Sequence, residues 1–153
     1  MLVFVAAPYS QLCDEEYRIK KEYKYFFEKL INEIKKLGVD YFLAVKRENY
    51  GKEYTSDKES TRIDFETVKK CDLLCVIPGV PASGGVHVEL GWASANNKSI
   101  EMFLNKKAKY SPMVTGLGEL TNVNYNYYTE EYSNEVIELI CDSIKRNMKQ
   151  SER

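Results

Sequence analysis

With 153 residues, the chain is long enough for one domain with a real core and too short for two ordinary ones. Basic and acidic residues nearly cancel, 22 against 23 for a formal net charge of −1, which argues against a nucleic-acid or membrane-surface partner. No apolar stretch approaches the ~20 residues that a membrane span needs.

The apolar start "MLVFVAAPYS" lacks the basic region and the length of a signal peptide and is expected to form the first strand of a cytoplasmic protein. "LVFVAAP" (2–8) is a short apolar run closed by proline. Residues 14–37 carry apolar side chains at helical spacing, from Tyr17 and Ile19 through Phe26, Phe27, Leu30, Ile31 and Ile34 to Leu37, and Gly38 ends the pattern. "DYFLAV" (40–45) is a second strand, and the charged stretch 46–60 is expected to be a loop. A second helix is expected from Ser60 or Thr61 to about Lys70, with Asp64 completing a capping-box pattern from Thr61. "DLLCVIP" (72–78) is a third, continuously apolar strand. A helix over about 86–97, a strand "SIEMFL" (99–104), a loop over 105–119, a strand around 120–127 and a helix over about 130–149 capped by Thr129 complete the chain.

Strands alternating with helices predict an α/β fold: a three-layer, flavodoxin-like or Rossmann-like five-stranded parallel sheet, residues 1–153 forming one domain with helices on both faces. The four cysteines (Cys13, Cys71, Cys75, Cys141) show no CxxC spacing and no partner histidines, and read as reduced structural thiols rather than metal ligands.

Parallel sheets of this kind bind ligands beyond the carboxyl ends of their strands. That rule selects "APYSQ", the 46–60 stretch, "PGVPASGG" and the 105–119 stretch. In "PASGGVHVELGWASANNKS" (81–99), Gly84 and Gly85 are expected to shape a tight turn whose amides, with Ser83, cradle a phosphate or sugar oxygen at a helix start. Glu89 is placed in the first turn of that helix, where the dipole favours the ionised carboxylate and suits a nucleophile. Its alternative reading is a residue that merely balances the helix end. His87, the only histidine, sits between Val86 and Val88 and reads as a packed bystander. Asp64 is either a helix cap or the second carboxylate of a pair. Two carboxylates flanking one pocket are the usual equipment for breaking a glycosidic bond.

The stretch "DFETVKKCDLLCVIPGVPASGGVHVELGWASANNKSI" (64–100) resembles the core of the nucleoside 2-deoxyribosyltransferase superfamily. That family typically shows an aspartate, seven residues, a second aspartate opening an apolar strand, a Gly-rich turn and then E-L-G-x-A. Asp64, Asp72, Gly85, Glu89, Leu90, Gly91 and Ala93 occupy those places, and with "VFVAAP" the likeness spans about residues 2–104. The resemblance implies that Glu89 attacks the anomeric carbon of a (deoxy)ribosyl group, that Asp64 is its acidic partner, and that Asp72 is structural. It implies a glycosyl ester on Glu89, which water (hydrolase) or another base (transferase) then resolves, with neither metal nor organic cofactor.

Ser83 stands where members working on free nucleosides often carry an aspartate. This resembles the branch that hydrolyses nucleoside 5′-monophosphates, because a serine adds no negative charge beside a phosphate. Ser111, in "YSPM", matches a serine of that branch that reaches the phosphate of a neighbouring subunit, and so implies a homodimer or larger assembly. Two positions depart from the family. Phe4 occupies the place of a strand-1 tyrosine that supports the nucleophile, leaving Tyr9 to supply a hydroxyl. The arginine that branch carries after strand 1 is missing from "YSQ"; Arg18, Lys46 or Arg47 is the alternative source of that charge, though each reads first as a surface residue. The alternatives are a nucleoside 2-deoxyribosyltransferase exchanging bases on free deoxynucleosides, and a non-catalytic nucleotide-binding sensor. A phosphoribohydrolase fits less well, since "ASGGVHVE" lacks the threonine of PGGxGTxxE.

Overall fold

The computed structural model describes residues 1–53 and 55–151, and for Ser151 the backbone only. Five parallel strands form one sheet in the order β2-β1-β3-β4-β5: β1 (Leu2–Ala6), β2 (Asp40–Phe42), β3 (Leu73–Val76), β4 (Ser99–Asn105) and β5 (Val123–Tyr128). The helices are α1 (Lys21–Lys36), α2 (Ala44–Arg47), α3 (Asp57–Lys70), α4 (Gly84–Ala95), α5 (Pro112–Thr115) and α6 (Asn134–Ser151).

The period-2 geometry of a strand sends successive side chains to opposite faces, so strands covered on both sides are apolar throughout. Val3, Val5, Leu73 and Cys75 enter one core with Phe27, Leu30 and Ile34 of α1 and Ile140 and Ile144 of α6. Phe4, Ala6, Leu74 and Val76 enter a second core with Val68 of α3 and Val86, Leu90 and Ala93 of α4. This is the expected α/β three-layer architecture. Asp72 is structural, as expected: its Oδ2 accepts from the Leu2 amide at 2.7 Å and ties the starts of β1 and β3 together.

Several boundaries move, each for a local reason. The first helix begins at Lys21 rather than near residue 14, because Asp14 Oδ1 accepts from the amides of Glu16 and Arg18, both at 3.0 Å. This short polar side chain captures the backbone before a helix can. Tyr17 then takes a left-handed φ of 62°, and Cys13 bridges Ile19 to close a small loop. The 46–60 stretch is not one loop. It holds the end of α2, a 3-10 turn over Asn49–Gly51 and the start of α3. Ser56, not Thr61, caps α3, accepting from the Glu59 amide at 3.4 Å, with Asp57 and Glu59 in the favoured acidic first turn. Asp64 therefore lies in the middle of α3 and is no cap. Helix α6 starts at Asn134, and Thr129 does not cap it. Instead the Thr129 amide and hydroxyl donate to Glu135 Oε2 at 3.0 and 2.9 Å.

All four cysteines are free thiols. Among the described residues, no helix is long and apolar enough to cross a membrane.

Candidate active site

At the carboxyl edge of the sheet, the segments after β1 and β2 meet α3 and the start of α4 around a cavity of about 240 Å³. Gly79, with a φ of 86°, makes this meeting possible. A Cβ there would lie 2.5 Å from Cγ of Pro8, so only glycine lets the segment after β3 approach the segment after β1. The expectation that Gly84 and Gly85 make the turn is corrected. Neither has a positive φ, a Cβ on Gly84 would meet nothing within 4 Å, and one on Gly85 would meet only Ser83 Oγ at 3.9 Å. They lie in the first turn of α4 and leave the space before it open.

Glu89 and Asp64 both line this cavity, brought together by the packing of α3 on α4. Phe65, next to Asp64, meets Trp92, one helical turn after Glu89, in an edge-on contact with ring centroids 5.3 Å apart. Glu89 lies in the second turn of α4, since that helix starts at Gly84, and no acidic residue occupies its first turn. The helix start therefore does not hold it ionised. Burial first, then the nearby Asp64 carboxylate, push Glu89 up to about 8, against a smaller downward pull from Arg47. Asp64 is pushed up to about 6, mainly by burial, with Arg47 pulling it down and Glu48 pushing it up. Two close carboxyls titrate as a pair, and this pair holds a single proton between about pH 6 and 8.

The other wall contains a residue that the sequence pattern hides. Arg47, expected at the surface, is largely enclosed, its side chain 19% exposed. Its Nη2 lies 3.2 Å from Glu48 Oε1 and 3.7 Å from Asp64 Oδ1. Among the described residues, its Nε and Nη1 are buried with no hydrogen-bond partner. Glu48 is itself buried and accepts from Ser60 Oγ at 3.2 Å. The chain returns over Arg47 because Asn49, Tyr50 and Gly51 all take left-handed φ values. A Cβ on Gly51 would sit 2.5 Å from the Tyr17 carbonyl oxygen. "NYG" was the available signal: Asn and Gly are the residues that tolerate such turns. Arg18 is exposed and pairs with Glu16 at 3.0 Å, and Lys46 lies 5.3 Å above the Tyr50 ring.

Ser83, Gly85 and Tyr9 line the cavity, with Tyr17 beside Tyr9. Burial and then Glu48 push the Tyr9 hydroxyl up to about 12, so it stays protonated. Ser83 precedes α4 without capping it, which leaves its hydroxyl free of that duty. Phe4 is corrected: it is fully buried, does not line the cavity, and packs on Phe42 at 4.8 Å. Phe42 in turn lies 6.0 Å beneath the Arg47 guanidinium, so Phe4 supports the site only from below. Ser111 lies elsewhere in this chain, capping α5 on the rim of a second cavity of about 500 Å³ shared with His87, Leu90, Met113 and Leu117. His87 is thus outside the first cavity. Among the described residues, no cluster of histidine, cysteine or carboxylate side chains could hold a metal ion.

No family model matches the chain, and no curated protein matches it. Solved structures do. Clostridium botulinum CMP N-glycosidase, BcmB, is 28% identical, with 95% of this chain and 99% of that one covered and a TM-score of 0.67. BlsM is 30% identical, with 94% and 91% covered and a TM-score of 0.72. A conserved protein from Enterococcus faecalis V583, 18% identical, shares the fold with a TM-score of 0.60 over 95% of this chain and 97% of that one. BcmB and BlsM are nucleoside 2-deoxyribosyltransferase-like proteins. With a 30% identical relative matched along nearly the whole of both chains, this chain belongs to the nucleoside 2-deoxyribosyltransferase superfamily and is an enzyme of its N-glycosidase and deoxyribosyltransferase kind.

Proposed function

We propose that this enzyme hydrolyses the N-glycosidic bond of (deoxy)nucleoside 5′-monophosphates through a glycosyl ester on Glu89, giving free base and (deoxy)ribose 5-phosphate. The observation that carries this reading is the Glu89–Asp64 pair, facing one cavity and sharing one proton near neutral pH. Glycosyl transfer through a covalent intermediate needs one carboxylate to attack and one acid to protonate the leaving group. In the empty site the proton favours Glu89, because Glu89 is the more deeply buried of the two. Positive charge developing at the anomeric carbon beside Glu89 favours the other arrangement, with Glu89 ionised and Asp64 protonated. The Glu89 carboxylate then bonds to C1′ while Asp64 gives its proton to the departing base. Water, deprotonated by Asp64, attacks C1′ in turn and frees Glu89. The same two carboxyls serve both steps, so no cofactor is required.

For the 5′-phosphate, the first-turn amides of α4 and the free hydroxyl of Ser83 provide an uncharged cradle at the positive end of the helix dipole. Cytidine 5′-monophosphate is the first substrate to try, because the 28% identical BcmB is a CMP N-glycosidase. Ser111 is proposed to reach the site of a second copy in a homodimer. Met113, which lines the same cavity as Ser111, is 78% exposed, an apolar side chain of the kind that a partner covers.

The reading is tested by chromatography of the bases released from a panel of nucleoside 5′-monophosphates and their parent nucleosides, wild type beside Glu89→Ala. Release from the monophosphates that disappears in the variant is expected. Exchange of bases on free deoxynucleosides alone would replace the hydrolase with the transferase, and binding without release would leave a sensor.

A further inference from the structure

Arg47 is the only cationic side chain lining the cavity among the described residues, and the two carboxylates it approaches occupy only its Nη2. Among the described residues, its Nε and Nη1 are buried without partners. Buried guanidinium donors left unpaired are costly, and such groups in a cavity wall call for an acceptor brought by a ligand. A phosphate is a poor candidate. Any anion on Arg47 would also face the carboxylates of Glu48 and Asp64, 3.2 and 3.7 Å from the same guanidinium, which already balance its charge. A neutral acceptor meets no such repulsion. The contact with Asp64, the proposed proton donor, also puts Arg47 at the leaving-group end of the site.

We propose that Arg47 recognises the base and stabilises its departure, donating from Nε and Nη1 to acceptor atoms beside the glycosidic nitrogen, and so selects a 2-oxopyrimidine. This rests on the nucleotide N-glycosidase reading above. When Glu89 bonds to C1′, the C1′–N electron pair passes into the base ring. In a 2-oxopyrimidine the negative charge spreads onto the carbonyl oxygen next to the broken bond, where a guanidinium N–H is strongest as a donor. Asp64 delivers its proton as the bond breaks, which leaves the base neutral. A purine has no carbonyl oxygen adjacent to its glycosidic nitrogen and offers Arg47 less. Phe42 beneath the guanidinium and Glu48 beside it hold the group in place, so little reorganisation accompanies the reaction.

The experiment compares wild type, Arg47→Lys and Arg47→Met by base-release kinetics and by calorimetry with free cytosine and with ribose 5-phosphate. Arg47→Met is expected to lose about 10²-fold in kcat on cytidine 5′-monophosphate, the usual cost of one preorganised donor to a developing anion. The loss should shrink on a 5-fluoro base, which leaves more readily, and the preference for nucleotides over nucleosides should not change. Cytosine affinity should fall at least about tenfold while ribose 5-phosphate affinity holds, with Arg47→Lys in between. Equal losses on every base, or a loss confined to the phosphate preference, would overturn the proposal. If the wild type releases no base at all, the glycosidase reading fails by itself, and the cytosine titration still decides whether Arg47 holds the base. Melting curves for both variants separate misfolding from lost recognition, and Arg47→Lys keeps the charge that balances Glu48.

Discussion

Two buried acidic clusters lie on opposite faces of the same sheet, and they are built in opposite ways. Glu101 in β4 is enclosed, its side chain 1% exposed, yet it accepts from Asn124, Asn126, Asn147 and Arg146 at 2.8 to 3.1 Å. Its acceptor capacity is filled, and the amides come from β5 and α6, so the carboxylate fastens the edge strand and the last helix to the sheet. On the other face, among the described residues, Asp64 Oδ1 and two nitrogens of Arg47 are buried without hydrogen bonds, and Glu89 and Asp64 are both pushed up by burial. A satisfied buried charge holds structure; an unsatisfied one is kept because something else will complete it. Burial alone would not have told the two apart.

Five substitutions and one pH profile would break or sharpen this contrast. The largest effect is expected from Glu89→Ala, which should lower base release by at least about 10⁴-fold while the protein stays folded, as removal of a nucleophile does in other covalent enzymes. Retained turnover would remove Glu89 from the mechanism. Glu101→Ala should do the reverse, costing about 3–5 kcal/mol in urea unfolding by leaving buried donors without their acceptor, with turnover per folded molecule intact. If stability barely moved, the structural half of the comparison would be wrong.

Asp64→Asn should lower kcat about 10²–10³-fold. The wild-type rate is expected to be bell-shaped, with limbs near pH 6 and 8 where the pair gains its second proton or loses its last. Asparagine at position 64 cannot donate, so the fall above about pH 8 should vanish, and a persisting alkaline limb would point to another acid.

Glu89→Gln addresses stability. The folded carboxyl at about 8 lies above its ordinary 4.5, so the native state binds the extra proton between those values. Its stabilising contribution is full below the ordinary value and is lost as pH rises through about 8. Relative to wild type, Glu89→Gln should therefore gain about 4 kcal/mol between about pH 5 and pH 9. A flat difference would mean that the carboxyl is not pushed up. Ser83→Ala should give the smallest effect, narrowing the preference for nucleotides over nucleosides by about tenfold, the worth of one hydrogen bond to a charged group. An unchanged ratio would place the phosphate elsewhere.

Much of the architecture was legible in order along the chain. "LVFVAAP" and "DLLCVIP" carry the continuous apolar character of strands covered on both faces, and α1 shows its period from Tyr23 to Leu37. The paired aspartates and "ELGWA" marked the carboxylates that share the cavity. Boundaries failed where a polar side chain outcompeted periodicity, as Asp14 does before α1 and Ser56 does before α3.

By itself, the sequence determined the fold class, the residue types at the site and the family, because each is written in local spacing that survives without neighbours. Only the tertiary structure decided the upward push of burial on Glu89, the burial of Arg47 and the exclusion of Phe4 from the cavity. Those depend on which surfaces lose water when α2, α3 and α4 close together, and dehydration belongs to no single stretch of chain.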